Sequence, residues 1–219
     1  MSFIGVLRTF SRNELLVSRR RKHIATCASR VFAKRGYEKT TMRDVAKACD
    51  MGIGSLYYYV GSKKELVFLI LKLSVLAESD TLAERVNEFA GLSPYASLKQ
   101  YIRLYLKHVD ELQELYIFLN HIVLSLDKDE RRIFLQAGTR NWKIFRDLLI
   151  KGKESGEFNV DDPGFTARSI LATADAWALF RWAIRGQYTL EEYTNLLIDI
   201  SEKMIALQPA LPEDKGGSV

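Results

Sequence analysis

The sequence predicts an all-α protein of about nine helices, with a three-helix N-terminal head and a larger C-terminal helical body. Apolar residues recur at helical spacing through most of the chain, and no segment is predicted as a strand. Residues that begin helices recur between these segments, such as Ser93 before Pro94 and Thr189 three positions before Glu192. Positive charge is concentrated in the first third of the chain, which sets the head apart from the body.

The charge distribution indicates the kind of partner. Residues 1–72 hold fifteen Lys and Arg against five Asp and Glu, whereas residues 73–219 hold seventeen against twenty-two. A basic head on an acidic body is typical of a DNA-binding protein. The run 19–22 (Arg-Arg-Arg-Lys) lies where the first helix is expected to begin, and cations there oppose the helix dipole unless phosphate is nearby. The alternative for this run is a solvated helix start.

Residues 41–63 predict two short helices joined by a tight turn. Thr41 is a good N-cap, and its hydroxyl and the free N–H groups behind it suit a phosphate oxygen. Val45 and Ala46 are expected to face inward, with Ala46 at the close approach of the helices. In the turn, Asp50 and Gly52 tolerate backbone conformations that β-branched residues avoid.

The second of these helices has two distinct faces. Leu56 and Val60 lie four positions apart and are assigned to the core, and Tyr59 is the tyrosine expected to pack inward. The opposite face presents small and aromatic residues suited to base edges and phosphates: Ile53, Gly54, Ser55, Tyr57 and Tyr58. This arrangement predicts a helix-turn-helix whose second helix enters the major groove. The alternative is a helical hairpin with an aromatic core.

The same residues resemble a known family. The pattern Thr41-x-Arg-Asp-Val-Ala, followed by Gly54-Ser-Leu-Tyr-Tyr-Tyr-Val-x-Ser-Lys63-x-x-Leu66, is similar to the N-terminal domain of TetR-type transcriptional regulators. The run Ala28-x-x-Val-Phe-Ala-x-x-Gly-Tyr37-x-x-Thr-Thr41 is similar to that family's first helix and the link that follows it. The specific resemblance covers about residues 19–70.

The resemblance implies a set of DNA contacts. Phosphate contacts are expected from Thr41, Tyr58 and Lys63, and base or groove contacts from Arg43, Ile53, Gly54, Ser55 and Tyr57. The turn departs from the family pattern, with Asp50 where glycine is usual, Gly52 where a serine cap is usual and Ile53 where a polar residue is frequent. Asp and Gly can serve the backbone roles, so the departure bears on which bases are read.

The remaining chain is predicted to be helical from Ser62 onward. Further helices are expected from Ser62 to as far as about Ala90, after Ser93, after an Asp110 cap, after Asp127 until before Gly156, over about 163–185 and over about 190–207. The predicted divisions are an N-terminal arm over 1–18, a helix-turn-helix domain over 19–65, a ligand-binding and dimerisation domain over 66–208 and a disordered tail over 209–219. The arm is either flexible or an extra helical turn, with Ser11 and Glu14 spaced as a capping box.

The last two long helices are expected to form a homodimer interface. Ala172, Ala174, Ala176 and Ala178 would let another helix approach closely. A two-fold dimer places two heads on two half-sites of a double-stranded operator, which one short helix cannot read with useful affinity. The alternative is that this face closes the chain's own core.

The body is larger than dimerisation requires, which suggests a pocket for a small effector. The candidate lining is aromatic with one cation: Tyr101, Tyr105, Tyr116, Trp142, Phe145, Trp177 and Arg181. The stretch Trp177-x-x-x-Arg181-Trp182 with Tyr188 to Tyr193 resembles regulators of fatty-acid or acyl-CoA metabolism. That resemblance implies an apolar or acyl-CoA-like effector whose phosphates could meet Arg131, Arg132, Arg140 or Arg181; solvated helix charge is the alternative.

Other functions are less well supported by the residues. No catalytic set, phosphate loop, metal cluster or cofactor motif is found, so an enzyme is not expected. Two cysteines, Cys27 and Cys49, make no disulfide framework and fit a cytoplasmic protein. No apolar run approaches the roughly 20 residues of a membrane span. Two functions stay open: a ligand-responsive regulator, most simply a repressor, and a DNA-binding regulator controlled by a protein partner.

Overall fold

The computed structural model describes residues 14–206, apart from the side chains at positions 14–15, 74–79 and 137. In this range it contains eleven α-helices and no strand. The helices are α1 (Glu14–Arg35), α2 (Met42–Ala48), α3 (Ile53–Tyr59), α4 (Lys63–Ile70), α5 (Ala77–Arg85), α6 (Pro94–Glu111), α7 (Gln113–Ile122), α8 (Lys128–Glu154), α9 (Pro163–Leu179), α10 (Arg181–Ile184) and α11 (Leu190–Ile205). The predicted arm before residue 14 and the predicted tail lie outside the described residues.

Most helix starts are fixed by the predicted local caps. Ser62, Ser93 and Asp162 each accept a hydrogen bond from a first-turn backbone N–H, and proline follows two of them. Asp127 and Thr189 form complete capping boxes with Glu130 and Glu192. Gly156, at φ 75°, follows the end of α8 as predicted.

The helix count exceeds the predicted nine because two long segments are interrupted. The run that starts at Lys63 passes through a π-helical segment (Leu71–Leu76) into α5 and ends in a 3₁₀ turn (Val86–Phe89). The segment predicted over 163–185 breaks at Phe180, which separates α9 from α10.

Two boundary predictions were wrong. Asp110 lies inside α6 and caps nothing, because its carboxylate instead accepts from the indole of Trp177 at 2.8 Å and from Arg185. Helix α1 is already formed at Glu14, so the basic run 19–22 lies within the helix and not at its start. The dipole argument for that run therefore does not apply.

The head is built on α1 and shares its core with the body. Apolar side chains from α1 to α4 pack together and continue into α7 and the start of α8: Ile24, Ala28, Phe32, Val45, Leu56, Val60, Leu66, Leu69, Leu115, Phe118, Leu119 and Ile133. A second core lies among α6, α8, α9 and α11. Helix α7 thus packs on α1 of the head and on α9 of the body.

Candidate DNA-binding surface and effector cavity

The turn between α2 and α3 has the predicted tight geometry. Asp50 adopts φ 51°, in the left-handed region that Asp tolerates better than most residues. Gly52 is the N-cap of α3, with φ −67° and no side chain to supply a capping bond. The backbone N–H of Met51 donates to the carbonyl of Ala46 at 3.0 Å, which closes the turn.

Helix α3 has the two predicted faces. Leu56 and Val60 are buried in the head core, and Tyr59 is half-buried against it. Tyr57 is 49% exposed and Tyr58 38% exposed, and Ile53, Gly54 and Ser55 also lie on the surface. The ring of Tyr58 meets that of Tyr59 edge-on at 5.0 Å between centroids. The buried side chains of Leu56 and Val60 therefore fix the orientation of α3, and its small and aromatic residues face outward.

Thr41 is the N-cap of α2, and its side chain has a structural role. The Thr41 hydroxyl donates to Asp44 Oδ2 at 2.7 Å and accepts from the Asp44 N–H at 3.2 Å. Arg35 donates to the same carboxylate at 2.7 Å, and these hydrogen bonds and that charge lower the pKa of Asp44. With the hydroxyl proton committed to Asp44, a phosphate near Thr41 would meet the free N–H groups of the first turn of α2.

Lys63 and Arg43 lie on the exposed side of the head in different settings. The Lys63 ammonium lies 4.1 Å from the ring centroid of Tyr37 and donates to the carbonyl of Glu38 at 3.3 Å. These contacts orient the cation beside the link between α1 and α2. Arg43 is exposed on the first turn of α2.

A cavity of about 150 Å³ lies in the body between α6, α7, α8 and α9. Its apolar lining comes mainly from α7 and α9, and its polar groups come from all four helices. The lining residues are Tyr105, His108, Leu112, Leu115, Tyr116, Leu119, Asn120, Phe134, Gly138, Asn141, Leu171, Asp175 and Leu179.

A hydrogen-bonded chain borders the cavity. The Tyr116 hydroxyl donates to the Tyr105 hydroxyl at 3.2 Å, and the Tyr105 hydroxyl donates to Asp175 Oδ1 at 2.8 Å. Burial raises the pKa of Asp175 to about 6, although the Tyr105 hydrogen bond opposes the rise. Burial also lowers the pKa of His108 to about 4, so its imidazole is neutral at pH 7.

The predicted effector residues separate into three groups. Tyr105 and Tyr116 line the cavity. Tyr101 and Phe145 lie beneath it in the aromatic core, with ring centroids 4.7 Å apart. The cavity is not lined by Trp142, Trp177 or Arg181, because their polar groups are engaged elsewhere, with Gly164, Asp110 and Gln113 respectively.

Sequence reasoning missed four polar lining residues. His108, Asn120, Asn141 and Asp175 line the cavity, and none was among the predicted effector contacts. The available signal was Asp175, the single acid of α9, which lies within the largely apolar run Ala172-Thr-Ala-Asp-Ala-Trp-Ala-Leu. A carboxylate in such a run demands a buried partner or a ligand.

A wider, open groove of about 970 Å³ runs along a different face of α8 from the one that lines the cavity. Its lining is basic, with two acids: Lys128, Arg131, Arg132, Arg140 and Lys143 beside Asp80 and Asp129. Arg140 pairs with Asp80, and Arg131 donates to the carbonyls of Leu124 and Leu126, each at 3.4 Å. Three of the four arginines predicted for phosphate contact therefore lie in one groove.

Helices α9 and α11 leave apolar side chains on the surface. The exposed residues are Phe165, Phe180, Leu196, Ile200 and Met204. The four alanines predicted for the dimer interface do not share one face. Residues two positions apart on a helix are rotated by about 200° about its axis, so they lie on nearly opposite sides. Ala172 and Ala176 lie toward this surface, whereas Ala174 and Ala178 are buried in the body core and cannot touch a partner.

The described residues hold no group of three or more His, Cys, Asp or Glu arranged to bind a metal ion. Within the same range, none of the helices combines the length and the apolar character that crossing a bilayer requires.

Several known proteins resemble the chain over most of its length. The HTH-type transcriptional regulator HbdR of Aromatoleum sp. (strain CIB) is 28% identical over 182 residues, which is 82% of this chain and 78% of that protein. The HTH-type transcriptional repressor KstR2 of Rhodococcus jostii (strain RHA1) is 27% identical, over 83% of this chain and 91% of that one.

Solved structures share the fold. AibR, in complex with isovaleryl coenzyme A and operator DNA, superposes with a TM-score of 0.71 at 22% identity, covering 86% of this chain and 100% of that one. FadR from Bacillus subtilis, in complex with stearoyl-CoA, gives 0.68 at 18% identity, covering 84% and 98%.

Family models match both parts of the chain. Residues 24–70 match the bacterial regulatory proteins of the tetR family, and residues 91–205 match the tetracyclin repressor-like C-terminal domain. The second match alone spans more than half of the 219 residues. The chain therefore belongs to the TetR family of helix-turn-helix, DNA-binding transcriptional regulators.

Proposed function

We propose that the protein is a dimeric TetR-type repressor that leaves its operator when a small apolar or amphipathic effector enters the body. The observation that carries the DNA-binding half is the surface of α3. Its tyrosines are exposed while the buried stripe of Leu56 and Val60 fixes the helix to the head. Such a helix can lie in the major groove with Gly54 and Ser55 close to base edges.

The repressor role is supported by relatives of this chain. KstR2 is described as a transcriptional repressor, and the solved AibR complex contains operator DNA. A repressor acts where the chromosome is, so we place this chain in the bacterial cytoplasm. In this proposal the head, residues 19–65, contacts DNA, and the body, residues 66–208, binds the effector and the second subunit.

The dimer half of the proposal is supported by the outer face of α9 and α11. Leu196, Ile200 and Met204 recur every four residues on α11, which places them in one stripe. Phe165 and Phe180 are exposed on or beside α9, and Ala172 between them is small. An exposed apolar stripe of this extent is typical of an association surface. A four-helix contact about a two-fold axis would cover it.

The effector half is supported by the cavity and the groove. AibR and FadR bind acyl-CoA molecules according to their solved complexes. Here the cavity of about 150 Å³ offers an apolar lining for an acyl part, and the basic groove offers cations for phosphates. Since ligand sites for drug-sized molecules usually reach roughly 300 Å³ or more, the cavity as it stands fits a short acyl part or one ring.

Helix α7 is the element through which the effector would act. Leu115 and Leu119 line the cavity and also belong to the core that α1 and α4 form in the head. An effector that displaces these side chains therefore disturbs the packing that positions the head. Its effect on DNA affinity is limited to the difference between its affinities for the two arrangements.

The test is release of the protein from DNA. The purified protein is bound to a labelled duplex from upstream of its own gene, and fluorescence anisotropy is followed as isovaleryl-CoA, stearoyl-CoA and free coenzyme A are added. We expect at least one acyl-CoA to lower the anisotropy at a concentration where free coenzyme A does not. If none does, and a thermal-shift screen with lipophilic and aromatic compounds is also flat, the result favours a DNA-binding regulator without a small-molecule ligand, either controlled by a protein partner or constitutive.

A further inference from the structure

The cavity's polar groups restrict the chemistry of the buried end of the effector. This inference rests on the proposed effector site and adds to it the functional group that the site takes. Acyl-CoA binding by relatives says nothing of such a group, whereas Asp175, Asn141 and His108 are residues of this chain that line the cavity.

The charge of the cavity lining disfavours an anionic ligand group. Asp175 is the single acid of the cavity, and no lysine or arginine is among the described residues that line it. The ionisable groups that share the cavity with Asp175 are His108 and Tyr105 from α6 and Tyr116 from α7, all neutral at pH 7. An anionic ligand group would therefore face an uncompensated carboxylate, so carboxylates and phosphates are disfavoured inside the cavity.

The polar residues of the cavity offer both hydrogen-bond donors and acceptors to a ligand. Asp175 accepts the Tyr105 hydroxyl on Oδ1, which leaves acceptor capacity on a carboxylate that has two oxygens. Asn141 accepts the Tyr101 hydroxyl on Oδ1 at 3.3 Å, so its amide nitrogen is the end with donors to offer. The neutral imidazole of His108 adds one donor and one acceptor.

A hydroxyl matches this pattern better than the alternatives. It can donate to Asp175 and at the same time accept from Asn141 or His108. An ammonium group offers donors only, so the amide nitrogen of Asn141 would find no acceptor on it. A methyl group would make no hydrogen bond to Asp175 or to Asn141. The size of the cavity agrees with a ring that carries such a group, because an engineered cavity of about 150 Å³ holds benzene.

We propose that the body cavity recognises a hydroxylated ring, whose hydroxyl donates a hydrogen bond to Asp175 and accepts one from Asn141 or His108. The ring packs against the aromatic and leucine side chains of α7, α8 and α9. Leu115 and Leu119 lie on that apolar side, so the ring meets the two side chains that connect the cavity to the head.

The test uses four matched one-ring probes: phenol, toluene, benzylamine and benzoate. Their dissociation constants for the full chain are measured at pH 7.5 by ligand-observed NMR. Phenol is expected to bind at least about tenfold more tightly than toluene, because a hydrogen bond to a charged group is stronger than one between neutral groups. Benzoate is expected to bind least. Equal affinities for phenol and toluene, a preference for benzylamine, or silence of all four probes would overturn the proposal.

Three variants test whether the preference for phenol over toluene arises from Asp175 and whether the probes bind in the cavity. In Asp175→Leu the preference for phenol over toluene should disappear while toluene still binds, and Asp175→Asn, which keeps the size of the side chain, should reduce it. Gly138→Leu adds a side chain where a Cβ meets nothing within 4 Å, at the exposed edge of the cavity, and should weaken all probes. Glu154→Gln, on the exposed end of α8, is the matched control. A preference that survives in Asp175→Leu contradicts the proposal.

Operator binding is measured on the same preparations without probes. Operator binding together with a failed probe series overturns only the hydroxyl inference. If the wild type does not bind the operator, the proposed function itself is contradicted.

Discussion

The ring of Phe32 in α1 stacks on the ring of Phe118 in α7, with centroids 5.0 Å apart and planes inclined by 24°. Both side chains are almost wholly buried, and they join the DNA-binding head to the body. Two largely exposed ion pairs lie near the same interface. Arg30 Nε is 3.8 Å from Glu114 Oε2, and Lys64 Nζ is 2.8 Å from Asp127 Oδ2. Because exposed pairs contribute little, the aromatic stack and its neighbours are what hold the head in place.

The first prediction concerns this stack. Phe118→Ala should lower the free energy of unfolding by about 3–5 kcal/mol through lost burial and a cavity. Phe118→Leu keeps an apolar side chain there and should cost less. If the interface transmits the effector signal, Phe118→Leu should bind the operator yet respond less to effector. Urea denaturation and effector titration of the operator complex measure the two effects. An unchanged effector response in Phe118→Leu would assign the coupling to other contacts.

The second prediction concerns the cap of α2. Thr41→Ala removes the hydroxyl that both accepts from and donates to Asp44 and should cost about 1 kcal/mol of stability. Thr41→Ser keeps the hydroxyl and should behave like the wild type. Equal unfolding midpoints for both variants would mean that the capping box contributes nothing to stability.

The third prediction concerns the dimer face. Ile200→Asp should shift the protein toward monomer and weaken operator binding, because a buried charge opposes association. Asn195→Asp adds the same charge at an exposed position beside the apolar stripe and should leave the dimer intact. Multi-angle light scattering at micromolar concentration measures the mass. A wild-type protein that is strictly monomeric would contradict the dimer proposal.

The fourth prediction concerns the pH dependence of stability. The pKa of Asp175 is raised to about 6 in the folded chain from an ordinary value of 3.8, so the folded state binds the extra proton. Its contribution to stability is therefore present below about pH 4 and is lost as pH rises through 6. Asp175→Asn cannot ionise, so relative to the wild type it should gain about 2 kcal/mol between pH 4 and pH 7.

His108 acts in the opposite direction over the same pH range. Its pKa is lowered to about 4 from 6.5, so the unfolded chain binds the proton first, and the wild type loses stability as pH falls from 6.5 toward 4. The Asp175 effect is therefore measured as the difference between wild type and Asp175→Asn, in which the His108 contribution largely cancels. A difference that does not change between pH 4.5 and pH 7.5 would contradict the burial of this carboxyl.

Local signals in the sequence predicted local structure well. The caps at Thr41, Ser62, Ser93 and Asp127 were predictable because each depends on residues within three positions. The faces of α3 followed from the four-residue spacing of Leu56 and Val60 for the same reason. Asp110 was assigned wrongly as a cap because its partners, Trp177 and Arg185, are more than 60 positions away.

The cavity could not be predicted to the same degree. Which aromatic residues line it depends on how α6, α7, α8 and α9 rotate against one another, and helical spacing within one helix does not fix that rotation. Trp142 and Trp177 are of a residue type that commonly lines ligand pockets. Their indole N–H groups nevertheless donate to Gly164 and Asp110, away from the cavity. Asp175 could have been singled out, because a lone acid in a largely apolar stretch of helix requires a partner.

The central claim is that α3 binds DNA, and one binding series tests it most directly. Fluorescence anisotropy on the duplex upstream of the gene is measured over a range of salt for the wild type, Tyr57→Ala and Tyr188→Ala. Tyr57 and Tyr188 are 49% and 40% exposed, and Tyr188 lies on the body, so it is the matched control. Lys63→Ala is added to test the predicted phosphate contact.

We expect tight wild-type binding with a steep salt dependence, unchanged in Tyr188→Ala and lost in Tyr57→Ala. Lys63→Ala should weaken binding to all duplexes and reduce the salt slope by about one. Two results together would contradict the assignment of α3 as the recognition helix. The wild type would bind this duplex, and duplexes from the neighbouring genes, no more tightly than a random duplex, and Tyr57→Ala and Tyr188→Ala would bind equally.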